Sequence, residues 1–301
     1  MVTQKFGGDW TEDKLRRVSE YLECYNIALK NQIFERIYID AFAGTGYREV
    51  KASGIGDQLM FPEFAEPEVQ GFLEGSARRA LKVDPGFHKF VFIEKDEKKV
   101  QELRKLQVEF PNKEIRIECG DANAKVQEIC SGDWRTRRAV LFLDPFGMQV
   151  SWATLEAVAR TKSIDVWLLF PLGSGISRLL RKDGAIEETL CQKLDFMFGD
   201  HSWFDAFYRS APPTETKATQ RSLIGFDKDA PEPEYPWKAD FSVMEGYFRA
   251  RLRTIFAKVA DNSVRLKNSK NVPLYSLFFT AGNDKGAPIA VRIAESIMSK
   301  P

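Results

Sequence analysis

The 301-residue sequence predicts an α/β fold built on a mostly parallel sheet, and three observations predict it. Apolar runs of strand length alternate with segments of helical periodicity from Thr11 to Pro171. These runs are nearly continuous, as in strands covered by helices on both faces. Acidic residues (Asp40, Glu94, Asp121 and Asp144) stand where the runs end, the edge at which such sheets bind ligands.

The elements follow in order. Thr11 to Lys30 carries Leu15, Val18, Tyr21, Leu22, Tyr25 and Leu29 at the three-and-four spacing of a helix face, with Thr11 placed to cap it and Glu12 and Asp13 in the first turn. Arg36 to Asp40 is a strand. Val50 to Glu74, rich in Gly, Pro and acids, reads as a surface loop, and Gly75-Ser76-Ala77 opens a helix to about Val83. Lys89 to Ile93 is a second strand, and the helix after it carries Val100, Leu103 and Leu106 on one face. Ile115 to Cys119 alternates as a third strand and stops at Gly120-Asp121-Ala122-Asn123. Arg138 to Leu143 is a fourth, followed by a helix with Trp152, Leu155 and Val158, and Asp165 to Phe170 is a fifth.

From Gly173 to Asn271 the pattern changes. Helical pieces over Ile176 to Leu180, Ile186 to Phe198 and Phe241 to Lys258 surround a turn-rich tract with Pro212, Pro213, Pro231, Pro233 and Pro236. A strand over Leu274 to Thr280 and a helix from about Pro288 to Ser299 then resume the core. The expected organisation is a cofactor-binding core over residues 1–172, an inserted helical subdomain with a flexible loop over 173–271, and a closing strand and helix over 272–301.

Bulk composition narrows the function classes. An apolar fraction of 44% suffices for a core, so global disorder is excluded. Lys plus Arg number 44 against 43 Asp plus Glu, a balance that gives no sign of a long-duplex grip. The four cysteines (Cys24, Cys119, Cys130, Cys191) form no C-x-x-C pair, and with two histidines a metal site is not expected. No run reaches the roughly 18 apolar residues of a membrane span, so a reducing, cytoplasmic setting is expected.

The first motif is Asp40-Ala41-Phe42-Ala43-Gly44-Thr45-Gly46, a strand end running into a glycine turn where backbone can lie against a ligand. Glu49 holds the third position of G-x-G-x-x-G and no G-K-[ST] follows, which disfavours a dinucleotide or a triphosphate. Glu94, in Glu94-Lys95-Asp96, stands where a carboxylate accepts both ribose hydroxyls, or is a solvated strand end. Asp121, before Ala122, is placed to accept from an adenine amino group or to cap a helix. Asp40 either binds a methionyl amino group or braces the glycine loop. The cofactor that fits these parts is S-adenosylmethionine, an adenosine without phosphates joined to an amino acid.

The second motif is Asp144-Pro145-Phe146-Gly147. Proline removes a donor and stiffens the turn, leaving carbonyls free to accept. A carboxylate beside such a carbonyl holds an exocyclic amine, and Phe146 offers a ring on which a base stacks. The alternative is a structural strand-to-helix turn.

These motifs, with Phe92-Ile93-Glu94-Lys95-Asp96 between them, resemble class I S-adenosylmethionine-dependent methyltransferases in content and order. The N-terminal helix with Tyr38-Ile39-Asp40, the Gly75-Ser76 helix start and Pro273-Leu274-Tyr275-Ser276-Leu277 look more specifically like the three-Cys-motif partner protein family. The likeness runs from about Thr11 to Met298 and is weakest between Gly173 and Asn271. It implies a doubly wound, mostly parallel seven-stranded sheet, Rossmann-like, with a helical insertion before the last strands. It also implies a partner protein with three clustered cysteines. Amino-methyltransferases of adenine and cytosine usually carry Asp/Asn-Pro-Pro and an aromatic residue. Here Phe146 replaces the second proline and Gly147 the ring, closer to the turn of tRNA guanine dimethyltransferases.

Between Arg249 and Lys270 seven basic residues (Arg249, Arg251, Arg253, Lys258, Arg265, Lys267, Lys270) face one acid, Asp261. That is either a phosphate-binding patch for RNA or DNA or a solvated helix face beside Leu252, Ile255, Phe256 and Val259. Arg135, Arg137 and Arg138 form a smaller cluster. The expected function is methyl transfer to an exocyclic amine of a nucleic-acid base. Its rivals are a non-catalytic or partner-dependent cofactor-binding module and a small-molecule methyltransferase. An NAD-linked oxidoreductase loses on the missing third glycine.

Overall fold

The structure, a computed structural model, describes residues 9–44, 75–177, 180, 186–209 and 237–301. The expected loop over residues 50–74 and the tract from Pro212 to Pro236 lie outside them.

The chain opens with α1 (Asp9–Leu29), whose Val18, Tyr21 and Leu22 are buried on one stripe. It starts two residues before Thr11, whose buried hydroxyl meets no hydrogen-bond partner among the described residues and is therefore not the cap. Strand–helix alternation then runs β1 (Glu35–Asp40), α2 (Ser76–Lys82), β2 (Lys89–Glu94), α3 (Glu97–Glu109) and β3 (Glu114–Cys119). It continues through α4 (Ala122–Cys130), β4 (Arg137–Leu143), α5 (Trp152–Arg160) and β5 (Ile164–Phe170). A π-helical turn (Leu172–Ile176) follows, then α6 (Glu188–Phe198), α7 (Trp203–Phe207) and the small hairpin of β6 (Tyr208–Arg209) with β7 (Trp237–Lys238). The chain closes with α8 (Phe241–Arg253), β8 (Lys258–Val259), β9 (Val264–Lys267), β10 (Pro273–Ala281) and α9 (Ala287–Met298).

The main sheet has the order β3-β2-β1-β4-β5-β10-β8, with β9 also paired to β10. β1 to β5 are mutually parallel, and β10 runs antiparallel to β5, β8 and β9. Seven strands are expected and eight are found among the described residues, because β8 and β9 share one position along β10. Both lie within residues 173–271, so the sheet takes up the chain again at Lys258, ahead of residue 272. The helix expected from Phe241 to Lys258 stops at Arg253, since Lys258 and Val259 pair with Ala281 and Thr280.

Alternate residues of the central strands enter two separate cores. Ile37, Ile39, Leu141 and Leu143 pack with α4, α5 and α6 to α8. Tyr38, Val140, Phe142 and Trp167 pack with α1, α2, α3 and α9. The helices of the 173–271 stretch bury against the sheet itself: Phe248 stacks on Phe170 at 4.3 Å between centroids and meets Phe278 edge-on at 5.3 Å.

The chain winds outward from β1 to β3 and then returns to place β4 beside the other edge of β1, with Asp40 opposite Phe142. Where the strand order reverses, the carboxyl ends of β1 and β4 leave a crevice. Asp40 ends β1, and Asp144 directly follows the last residue of β4.

Candidate cofactor and acceptor site

Asp40 is fully buried at the end of β1. Ser76, the first residue of α2, donates to its Oδ2 at 2.5 Å, and the Phe42 amide donates to Oδ1 at 3.2 Å. Burial outweighs these hydrogen bonds and, with a smaller contribution from Asp144, pushes its carboxyl up to about 7. The Tyr38 hydroxyl is buried beside it with no well-formed hydrogen bond among the described residues. Burial first, then Asp40 and Asp144, raises the Tyr38 phenol well above its ordinary value.

The glycine loop is pinned on both sides. The Ala41 amide donates to Phe142 O at 3.1 Å and the Ala43 amide to Ile93 O at 3.0 Å. Phe42 packs partly against the first core and Ala43 against the second. A Cβ at Gly44 would collide with the Glu94 carboxylate, so glycine lets the loop approach β2. Gly46 lies outside the described residues.

Glu94 is buried, and its Oε1 accepts the amides of Lys95 and Asp96, each at 2.8 Å. The expected ribose grip uses both carboxylate oxygens. Here the chain's own backbone occupies one, and Oε2 is the oxygen turned toward Gly44. Lys95 contributes its amide, while its side chain is exposed. Asp121 is the N-cap of α4, accepting from the Ala124 amide at 3.1 Å, and Ala122 is the first residue of that helix. Asp121 also lines a cleft of about 790 Å³ together with Asn123, Trp152 and Phe196.

At the end of β4, Pro145 is buried and Phe146 is half-buried, its amide donating to Gln149 Oε1 at 3.1 Å. Gly147 turns the chain at φ +81°, a conformation that favours glycine. Asp144 is engaged: Lys14 Nζ lies 2.6 Å from its Oδ2. Lys14 is only 4% exposed, and its ammonium lies 5.1 Å from the Trp10 ring centroid and 6.0 Å from that of Phe142. Sequence reasoning does not single out Lys14, although a signal is there. It stands four residues before Val18 and seven before Tyr21, on the buried stripe of α1.

The basic stretch does not come together as one open patch. Arg265 makes a forked pair with the buried Glu245, with Nη2 to Oε2 at 2.7 Å, and Arg253 pairs with Asp261. Arg249 is half-buried, donates to Ser263 Oγ at 3.1 Å and lies over the Phe278 ring. Arg251 pairs with Asp200 at 2.8 Å. Lys258, Lys267 and Lys270 are exposed. Three of the seven bases are thus paired with acids, two of which, Glu245 and Asp200, stand outside the stretch itself. In the smaller cluster, Arg135 and Arg138 line a concavity of about 610 Å³ at the amino ends of β4 and β5, across the sheet from Asp144.

Among the described residues no cluster of His, Cys, Asp or Glu is arranged to hold a metal, and no helix is long and apolar enough to cross a membrane. The four cysteines are unbridged, and burial pushes the Cys130 thiol up to about 12.

No family model matches the sequence, and no curated protein matches it. The chain is similar in structure to protein LPL1258 from Legionella pneumophila, of the family model DUF519. Identity is 12% and the TM-score 0.50, over 97% of this chain and 91% of that one. It is also similar to the methyltransferase domain of bacterial CtHen1, at 9% identity and a TM-score of 0.34 over 88% of this chain and 99% of that one. For yhhF from Escherichia coli the values are 14% and 0.30, over 52% and 70%. The likeness to LPL1258 is one of fold, and the other two carry no argument. The fold is mixed α/β with a mostly parallel sheet whose strand order reverses between β1 and β4.

Proposed function

We propose that the chain is an S-adenosylmethionine-dependent methyltransferase acting on an exocyclic amine of a nucleic-acid base. The observation that carries this reading is the placement of Asp40 and Asp144 at the carboxyl ends of adjacent parallel strands, on either side of the strand-order reversal. The residues present fit the cofactor. Gly44 leaves room for backbone contact, Glu94 Oε2 faces that loop, and the buried Asp40 would be stabilised as a carboxylate by a cationic group nearby. Glu94 and the Asp40–Gly44 loop would hold the cofactor, with Asp121 and Ala122 at the adenine end. When bound, it supplies an electrophilic methyl group.

The chain's own residues supply position and charge. Asp144 accepts an amine N–H through the oxygen that Lys14 leaves unoccupied, and Pro145 places no amide donor in the turn. Phe146 stands at the turn as a stacking surface, worth roughly 1–3 kcal/mol per base in sites of this kind. Such a transfer needs alignment more than a strong base, because the methylated amine sheds its proton afterwards. The resemblance to the three-Cys-motif partner family adds a protein with three clustered cysteines as a candidate partner. The unbridged cysteines fit a reducing, cytoplasmic setting.

A small-molecule acceptor is the second reading, favoured by the pairing of Arg265, Arg253 and Arg251 with acids. Tritiated methyl transfer to pooled RNA, DNA and metabolites separates the two, with Asp144→Ala as control. Label in RNA or DNA that disappears in Asp144→Ala supports the first reading, and label in metabolites alone supports the second. Calorimetry that shows NAD binding and no S-adenosylmethionine binding would remove both.

A further inference from the structure

Lys14 belongs to the first helix of the chain, yet its ammonium sits 2.6 Å from the carboxylate of the strand-end motif, more than a hundred residues away. Burying a lysine is costly, and a buried ion pair is commonly no more stable than an apolar pair of the same volume. Leu15, Val18, Tyr21 and Leu22 make the buried surface of α1 around it, where leucine or methionine would serve packing alone. The pair is also asymmetric. The Lys14 side chain is 5% exposed and that of Asp144 16%, so the open side of the pair belongs to the carboxylate.

We infer that Lys14 is a positioning residue that fixes Asp144 through Oδ2, leaves Oδ1 as the acceptor, and selects neutral aromatic amines over alkylammonium ions. The inference rests on the methyltransferase reading for its reaction, but not for its geometry. With one oxygen held, the carboxylate rotamer is set before an acceptor arrives, which is the kind of alignment a proximity-driven transfer needs. With its charge matched by Lys14, Asp144 offers a hydrogen-bond acceptor rather than an unbalanced anion. An aromatic amine, uncharged at neutral pH and carrying N–H donors, suits that acceptor. An alkylammonium ion would instead be drawn to an unpaired carboxylate. Trp10 and Phe142 reinforce the arrangement, since their ring faces hold the lysine ammonium within 5.1 and 6.0 Å.

The test compares the full chain with Lys14→Met and Lys14→Arg. Without cofactor, binding of adenosine, guanosine and 1,4-diaminobutane is followed by NMR. Wild type is expected to favour the nucleosides, Lys14→Met to shift the preference toward the diamine by at least tenfold, and Lys14→Arg to keep the wild-type order. With cofactor, Lys14→Met is expected to lower kcat for a base amine by about a hundredfold at nearly unchanged cofactor affinity, with partial recovery in Lys14→Arg. Unchanged preference and kcat in a folded Lys14→Met overturn the inference while leaving the methyltransferase reading standing. Nucleoside selectivity that depends on Lys14, without methyl transfer to any acceptor, overturns that reading and leaves the positioning role standing. If Lys14→Met does not fold, Lys14→Arg decides: loss of both selectivity and transfer with intact folding overturns the charge-based account.

Discussion

Gly44 and Glu94 share one volume: any side chain at residue 44 would stand where the Glu94 carboxylate now lies. The obstacle is the far end of a flexible side chain, so Gly44→Ala is expected to swing Glu94 aside rather than unfold the loop. Losing its hydrogen bonds from Lys95 and Asp96 should cost about 1–2 kcal/mol of stability. S-adenosylmethionine affinity should fall at least tenfold. Glu94→Ala should lower affinity similarly, and the double variant should be no worse than either single one. Thermal unfolding and calorimetry measure the two effects, and additive losses in the double variant would separate the residues.

Asp40 should make stability depend on pH. Its buried carboxyl is pushed from 3.8 up to about 7, so the folded state keeps a proton that the unfolded state releases. The sign follows from linkage. Below pH 4 both states hold the proton and stability is not diminished. From pH 4 to 7 the unfolded state gains, and above 7 the loss is constant. Asp40→Asn should therefore gain thermal stability relative to wild type as pH rises from 5 to 8. A difference between the two proteins that is independent of pH would contradict the assignment.

The same residue predicts proton release on cofactor binding. A cationic ligand beside Asp40 favours its ionised form, so affinity should rise by roughly tenfold between pH 6 and 8. Calorimetry at pH 7 in phosphate and in Tris should give different apparent enthalpies, and the difference should vanish in Asp40→Asn.

Tyr21 and Asp165 fasten α1 to β5. The Tyr21 hydroxyl donates to Asp165 Oδ2 at 2.9 Å, and the Gly282 amide donates to Oδ1 at 3.2 Å. Burial pushes Asp165 up to about 6 in spite of both. Tyr21→Phe leaves the rings in place and removes one donor from a buried carboxylate, an expected loss of about 1–3 kcal/mol in denaturant unfolding. An unaltered midpoint would mean that the carboxylate finds another partner.

Arg265 and Lys267 stand two residues apart in β9 but should behave differently. Arg265→Ala strips the forked partner from the buried Glu245, which among the described residues keeps the Ser276 hydroxyl at 2.7 Å, and should cost about 2–4 kcal/mol of stability. Lys267→Ala, on an exposed side chain, should change stability by less than about 0.5 kcal/mol. If the stretch contacts phosphates, Lys267→Ala should flatten the salt dependence of RNA binding by about one unit of slope.

Four of the five parallel strands are legible in the sequence because burial on both faces forces continuous apolar runs, as in Phe90 to Ile93 and Ala139 to Leu143, while the edge strand β3 is legible from its alternation. β8 and β9 are not, because two and four residues cannot show a period. The strand-end acids are legible too, since a carboxylate after an apolar run is conspicuous. Their partners are not: the Ser76 hydroxyl on Asp40 and the Lys14 ammonium on Asp144 come from elements 36 and 130 residues away. For the same reason the stretch around Arg265 reads as more cationic than it is, because Glu245 lies 20 residues back on another element.

The docking of α1 has a consequence for the order in which the molecule is assembled. Arg17, one turn beyond Lys14, donates to the carbonyls of Ile297 and Lys300, 280 and 283 residues away. Closing so long a loop is among the slower steps of folding. α1 leaves the ribosome well before α9, so the helix that carries Lys14 has to wait for the surface that holds it. β1 and β4 pair with each other rather than with α1, whereas Asp144 receives its counter-ion only when α1 docks. Pulse-labelled hydrogen exchange during refolding should accordingly protect the amides of β1 and β4 before those of α1.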